Sequence, residues 1–273
     1  THVGVNGFND FYFTNTGLFV NGEFKNYMQE EHLDGQEYAV YAPVFGSQID
    51  TSRQYYYLTD NPEPGVSAMN DGEFKLVTYN SAEQSWKDDD GNNILPRMNP
   101  YDSNSRTLFY AMEMTTPTML TDDDYKNALT SILDESMNIN ADVQYAIDRY
   151  VARGTTNTKF GMAMATHILR QNAQRTYTDE WGQTITSNQV VIMFTDGDTN
   201  NPNKVNGIPT YSAIFNQANK IKETGAKLYL VSLTEEADLL WMDQISSNTD
   251  LKSYDSTREK TNGKYYINIE DAS

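Results

Sequence analysis

A chain of 273 residues can form one large domain, or one domain carrying a sizeable insertion, and its 38% hydrophobic and 12% aromatic content supplies a core. The formal net charge of −18 and pI near 4.4 argue against nucleic acid or anionic membrane as partner, because both repel an acidic surface; they suit cations and a soluble extracellular surface. There is no cysteine, hence no disulfide framework or thiol chemistry, and no apolar run of the ~18 residues that would insert into a membrane. The chain starts at Thr1 with no visible signal peptide, which reads as a piece of a longer or processed product. It contains no N-x-[ST] sequon, which favours a bacterial source.

In chain order, His2 to Phe8 reads as a strand. Residues 17–117 then show short β-like runs at Glu37–Phe45, Gln54–Leu58, Glu73–Tyr79 and Arg106–Met114. Turn signals such as Asn21-Gly22, Asn70-Asp71-Gly72 and Asp90-Gly91 separate them. This Tyr- and Asn-rich stretch is expected to be a β-rich insertion, too long for an ordinary connection.

From Thr121 the pattern changes. Thr121 followed by Asp122, Asp123 and Asp124 is an N-cap with an acidic first turn, and Tyr125, Ala128, Leu129, Ile132 and Leu133 continue at helical spacing. A second helix carries Val143, Ile147, Tyr150 and Val151 and stops near Gly154. A third runs from Phe160 to Gln171 with Ala165, Ile168 and Leu169 on its apolar face. Val190 to Thr195 reads as a fully buried parallel strand, followed by a helix with Ile214, Ala218 and Ile221 that closes at Gly225. Lys227–Leu233 is a strand, Leu239, Met242 and Ile245 mark a helix, and Lys264–Ile269 is a last strand. This βαβα rhythm predicts an α/β fold, a doubly wound, mainly parallel Rossmann-like sheet with helices on both faces. The expected division is residues 1–16 and 118–273 as the α/β domain, with 17–117 inserted.

The strand ending Phe194-Thr195-Asp196-Gly197 places a carboxylate beside the crevice where open α/β sheets bind ligands. A carboxylate there is costly without a partner, and a metal ion is the natural one. Arg153-Gly154-Thr155-Thr156-Asn157-Thr158 offers hydroxyl oxygens at a helix start, which also serve as ordinary caps.

Together these segments resemble the von Willebrand factor A family. Val191–Gly197 is similar to its fourth strand and Asp-Gly ending, and Gly154–Thr158 to its Gly-Gly-Thr-Asn loop, with Thr155 replacing the second Gly. Val3–Phe8 is similar to its second strand and Gly225–Val231 to its fifth. The resemblance covers residues 1–16 and 120–273. It implies a metal-ion-dependent adhesion site in which Thr156 and Asp196 face the metal and Asn157 and Asp198 support them. The metal would be Mg²⁺, or Mn²⁺ or Ca²⁺, bound by hard oxygen ligands, with the last position left for a partner's carboxylate.

One departure concerns the first strand of that family, which ends in Asp-x-Ser-x-Ser. Asp50-Thr51-Ser52-Arg53-Gln54 and Asp134-Glu135-Ser136-Met137-Asn138 come nearest, but each lacks the last Ser, and the second falls at the end of an expected helix. The missing strand is expected upstream of Thr1, so the metal would be held only once that loop is supplied.

Other candidates are weaker. Lys87–Asn92 fails the EF-hand pattern at Trp86 and reads as a hairpin turn. His2, His32 and His167 share no context with a nucleophile, His167 reads as structural, and no positioned general base supports an enzyme. Tyr55-Tyr56-Tyr57 suits a strand as well as a glycan- or protein-binding face. The expected function is a bacterial cell-surface adhesion module of the TadG-like or pilus-tip type. Its partners would be a protein or glycan on a host or neighbouring cell, or pilus subunits. The alternative is an intracellular protein of the same family that partners an AAA+ ATPase.

Overall fold

A computed structural model describes residues 1–7, 17–26, 38–59, 73–99, 106–115, 120–150, 156–173, 176–195, 204–205, 208–209, 211–233, 240–261 and 263–268. Strands β1 (His2–Val3) and β2 (Asn6–Gly7) open the chain, followed by the hairpin β3 (Gly17–Val20) and β4 (Glu23–Asn26). A β-rich stretch comes next: β5 (Tyr38–Val44), β6 (Tyr55–Leu58), β7 (Phe74–Asn80), β8 (Ser85–Asp88) and β9 (Phe109–Thr115). Then come α1 (Asp122–Lys126), β10 (Thr130–Ser131), α2 (Ala141–Arg149), α3 (Thr158–Gln171), β11 (Thr176–Thr178), β12 (Thr184–Thr186) and β13 (Val190–Thr195). The chain continues through β14 (Lys204–Val205), β15 (Ile208–Pro209), α4 (Ser212–Glu223), β16 (Lys227–Ser232), α5 (Leu240–Ile245) and β17 (Tyr266–Asn268).

The C-terminal sheet is parallel, in the order β13-β16-β17. Met193, Leu228 and Leu230 point to one face. There they meet Met162 and Leu169 of α3, Phe215, Ala218 and Ile221 of α4, and Trp241, Met242 and Ile245 of α5. Gly225 (φ +89°) ends α4 as expected, its N–H donating to Lys222 O at 3.0 Å. The second face differs from expectation: Val190, Ile192, Phe194 and Ile267 are 48%, 56%, 57% and 46% exposed. Among the described residues α3, α4 and α5 all cover the same face, so β13 alternates in burial rather than lying buried on both sides.

A second three-stranded sheet has the order β2-β3-β4 and is antiparallel at both pairings. Its hairpin turns at Asn21 (φ +51°) and Gly22 (φ +77°), the left-handed pair that an Asn-Gly loop supplies. This hairpin, expected within the insertion, instead pairs with β2. It buries Leu18 and Val20 against Tyr125, Ala128, Met164 and Ile168. The inserted sheet proper is five-stranded and antiparallel, in the order β5-β9-β6-β7-β8, around Tyr55, Val77, Trp86 and Phe109. All four expected β runs appear in it.

The helix expected from Thr121 through Leu133 stops after five residues. Its cap is as read: Thr121 Oγ1 accepts from Asp124 N, and Asp124 Oδ2 accepts from Thr121 N at 2.9 Å. After Asn127 the chain enters β10, which pairs with β1, and Thr130, Ser131 and Ile132 are residues that gain more from a ladder than from a helix. The second helix ends at Arg149, and its expected continuation, Val151 to Gly154, lies outside the described residues. The small hairpins β11-β12 and β14-β15 were not expected.

Phe215 is 1% exposed at the centre of the α4 contact. Phe215→Ala is expected to cost about 3–5 kcal/mol, read from urea unfolding. Asp124 also pairs with Lys25, which holds its carboxyl below the ordinary value, helped by the Thr121 backbone. A depressed carboxyl contributes stability above its unfolded pKa of about 4 and loses it as pH falls through the lower folded value. Asp124→Asn is therefore expected to flatten the acid limb of the stability–pH curve below about pH 4, measured by thermal melts across that range.

Candidate functional site

The orientation of α3 decides what can meet at the head of the sheet. Gln189, just before β13, donates its Nε2 to Leu169 O at 3.3 Å and to Asn172 O at 2.6 Å. The C-terminal end of α3 is thereby tied to the beginning of β13. The helix has 14 residues and the strand 6, which at about 1.5 and 3.3 Å per residue makes each about 20 Å long. Met162 in the first half of α3 and Met193 in the second half of β13 join one core, so the start of α3, with Thr156 and Asn157 just before it, lies toward the Thr195 end of the strand.

Thr156 is half-buried. Asn157 occupies the cap position of α3, but its side chain makes no cap hydrogen bond; its carbonyl accepts from Phe160 N at 3.1 Å and Gly161 N at 3.4 Å. Its side-chain amide does not cap the helix. Asp196 and Asp198 lie outside the described residues, as do Gly154 and Thr155. Asp196 follows Thr195 directly, so its chain position is at the strand end. Among the described residues no group of three or more His, Asp or Glu is arranged to hold a metal.

Sequence reasoning passed over Thr158. It begins α3, is 1% exposed, and its Oγ1 has no hydrogen-bond partner. A buried hydroxyl without a partner is uncommon, because desolvation is not repaid. The signal was present in the second Thr of Thr156-Asn157-Thr158, where it reads as an ordinary first-turn residue. Asn6 was also missed; its Nδ2 donates to Gly161 O at 3.3 Å and brings β2 to the same end of α3.

The weaker candidates resolve into structure. Asp88 Oδ1 accepts from Asp90 N and Asn92 N, and Oδ2 accepts from the Tyr57 hydroxyl at 2.9 Å, so the Asp88–Asn92 stretch is a hairpin turn. Asp134 Oδ1 accepts from Ser136 N and Asn138 N at 2.8 and 2.9 Å across a hairpin with Met137 at φ +64°, not the end of a helix. Asp50 Oδ1 caps Ser52 N in the same manner. Tyr55 and Tyr57 face the core of the inserted sheet. His167 stacks on Tyr125 at 4.8 Å, and burial, then Arg170, pushes its pKa down.

With this geometry in place, one comparison gives a match. Residues 101–266 match the von Willebrand factor type A domain, and the chain belongs to that family. No curated protein matches the chain significantly. No solved structure does either.

Because the Thr158 hydroxyl is buried without a partner, Thr158→Val is expected to leave the 1–273 polypeptide as stable or more stable by about 1 kcal/mol in urea unfolding. A loss of that size would mean that the hydroxyl is already bonded.

Proposed function

We propose that this chain is a ligand-binding adhesion module in which a divalent metal sits between the head of α3 and the end of β13. The observation that supports the reading is the tie through Gln189 at one end of α3, with Met162 and Met193 in one core, which turns the start of α3 toward the end of β13. Thr156 and Asp196 would hold the ion, with Asn157 and Asp198 supporting them from behind. The residues present fit a hard cation in kind, since they offer hydroxyl and carboxylate oxygen, but they are too few to enclose it. The start of a helix carries positive partial charge, so a cation there needs carboxylate to offset it, and an acidic group on the ligand gains from both. When bound, Mg²⁺ would supply a coordination position that a ligand carboxylate can take from water.

The acidic, cysteine-free composition and the Tyr-rich inserted sheet support a bacterial surface or pilus setting. The ligand is then a protein or glycan on a host or neighbouring cell. An adhesive role needs no turnover.

Titration calorimetry tests the metal. The 1–273 polypeptide is expected to bind Mg²⁺ weakly, with Kd above about 1 mM, since two short donor loops leave most positions to water. Supplying an Asp-x-Ser-x-Ser segment should tighten binding at least tenfold, and Asp196→Ala should abolish the gain. Tight stoichiometric binding by residues 1–273 alone would overturn the assignment of an incomplete site.

A further inference from the structure

The hairpin β11–β12 is set between α3 and β13, and it springs from the end of the helix opposite Thr156. Among the described residues its strands pair only with each other, Thr176 with Thr186, Tyr177 with Ile185 and Thr178 with Thr184. A lone two-stranded hairpin is marginally stable in water. This one nevertheless has an ordered tip. Asp179 Oδ1 accepts from Trp181 N at 3.0 Å and from Gln183 N at 2.7 Å, and Gly182, at φ +78°, donates its N–H to Asp179 O at 3.0 Å. The turn holds Trp181 76% exposed, more than any other large apolar side chain among the described residues. Tyr177 is also exposed, and a Cβ on Gly182 would meet nothing within 4 Å. Holding an indole in water is unfavourable, so an ordered turn that does so points to a surface that receives the ring.

Both edges of the hairpin are open. Asp179 N bonds Gln183 O, so by antiparallel alternation the backbone groups of Tyr177 and Ile185 face inward, and those of Thr176, Thr178, Thr184 and Thr186 face outward. None of the strand residues is charged or a proline, the usual guards of an exposed edge. At the base of the hairpin lies a cleft of about 520 Å³, lined by Leu169, Arg170, Ala173, Gln189, Lys220 and Glu223. Ala173 and Gln189 are the feet of the hairpin, one on either side of it in the chain. The base therefore carries two cations against one acid, whereas the tip carries Asp179 and Glu180.

We infer that the hairpin pairs edge to edge with that of a second copy of this chain, about a two-fold axis, and that each Trp181 enters the cleft of the other copy. The register selects this occupant. Antiparallel pairing centred on Tyr177 sets Thr176 opposite Thr178 of the partner subunit, so outward groups meet outward groups. Trp181 lies as far beyond Tyr177 as Ala173 lies before it, so the two stand opposite each other. Pairing centred on Ile185 sets Trp181 opposite Gln189 in the same way. Either edge thus delivers the ring to the cleft. The charges select the same arrangement, because it brings the acidic tip of one copy beside Arg170 and Lys220 of the other, while a parallel arrangement would bring the acidic tips together. The cleft is large enough, since a cavity of ~150 Å³ accepts benzene, and Arg170 offers the indole a cation. Two marginal hairpins become one four-stranded sheet. The heads of both α3 helices stay free, because the hairpin leaves from their other ends.

The test is run in chelator, which separates it from the calorimetry above. Sedimentation equilibrium of the 1–273 polypeptide is expected to show reversible dimers at micromolar concentration, in keeping with a small interface. Trp181→Ala should weaken the dimer at least tenfold and leave urea unfolding of the monomer unchanged, because the side chain is exposed. Trp86 and Trp241 are 7% and 0% exposed, so acrylamide quenching reports Trp181 and should fall as the dimer forms. Glu180→Lys and Lys220→Glu should each weaken the dimer about threefold or more, and the double variant should recover most of the loss. A chain that stays monomeric across the range overturns the inference. So does a dimer that Trp181→Ala leaves unchanged, which would place the contact elsewhere, such as the bare face of Val190, Ile192 and Phe194.

Discussion

One helix with two adjacent buried stripes holds the α/β part together. If α3 buried a single stripe, the β2-β3-β4 sheet would have no common core with β13-β16-β17, since among the described residues no strand pairing joins them. The stripes work because Gly161 and Ala165 lie between the larger residues, so side chains diverge to either flank. The polar anchors lie at the helix ends. Gln189 fixes one end to β13 and Asn6 fixes the other to β2, which sets the height of the helix as well as its face. Those two anchors decide where the head of α3 stands.

The region after α5 follows a different rule. Asp243 is fully buried, yet it accepts from Asn248, from Thr261 N and from Thr261 Oγ1. Gln244, also buried, both donates to Asp255 O and accepts from Asp255 N. A buried carboxylate with this many donors is satisfied, not orphaned. These bonds turn an irregular stretch of some 20 residues into a rigid lead into β17. Their role is to hold the outer strand of the sheet, far from the head of α3.

Much of the α/β part could be read from spacing alone. α3, α4, β13, β16 and the Gly225 stop all fall where apolar periodicity placed them, because each is long or sharply terminated. The family was legible because two weak motifs occur at a familiar separation. The failures have physical causes. Ile132 and Leu133 sit at helical spacing from Tyr125 by coincidence, and the ladder to β1 outweighs it. Val190, Ile192 and Phe194 looked like the second buried face of a strand, and composition cannot say whether a layer covers them. Thr158 was invisible as a special residue because an unpartnered hydroxyl is defined by what fails to approach it.

The inserted sheet begins and ends in the same place. Its first strand β5 and last strand β9 are neighbours, with Tyr38 opposite Thr115. Antiparallel partners sit about 5 Å apart, so the excursion leaves and rejoins the rest of the chain through a narrow neck. Such a module is exchangeable: its loops and aromatic faces can diversify while the α/β part meets it at the β5–β9 neck and where α2 touches β5. It is also mechanically shielded, since tension carried through the α/β part crosses the neck at the β5–β9 pair without stretching β6, β7 or β8.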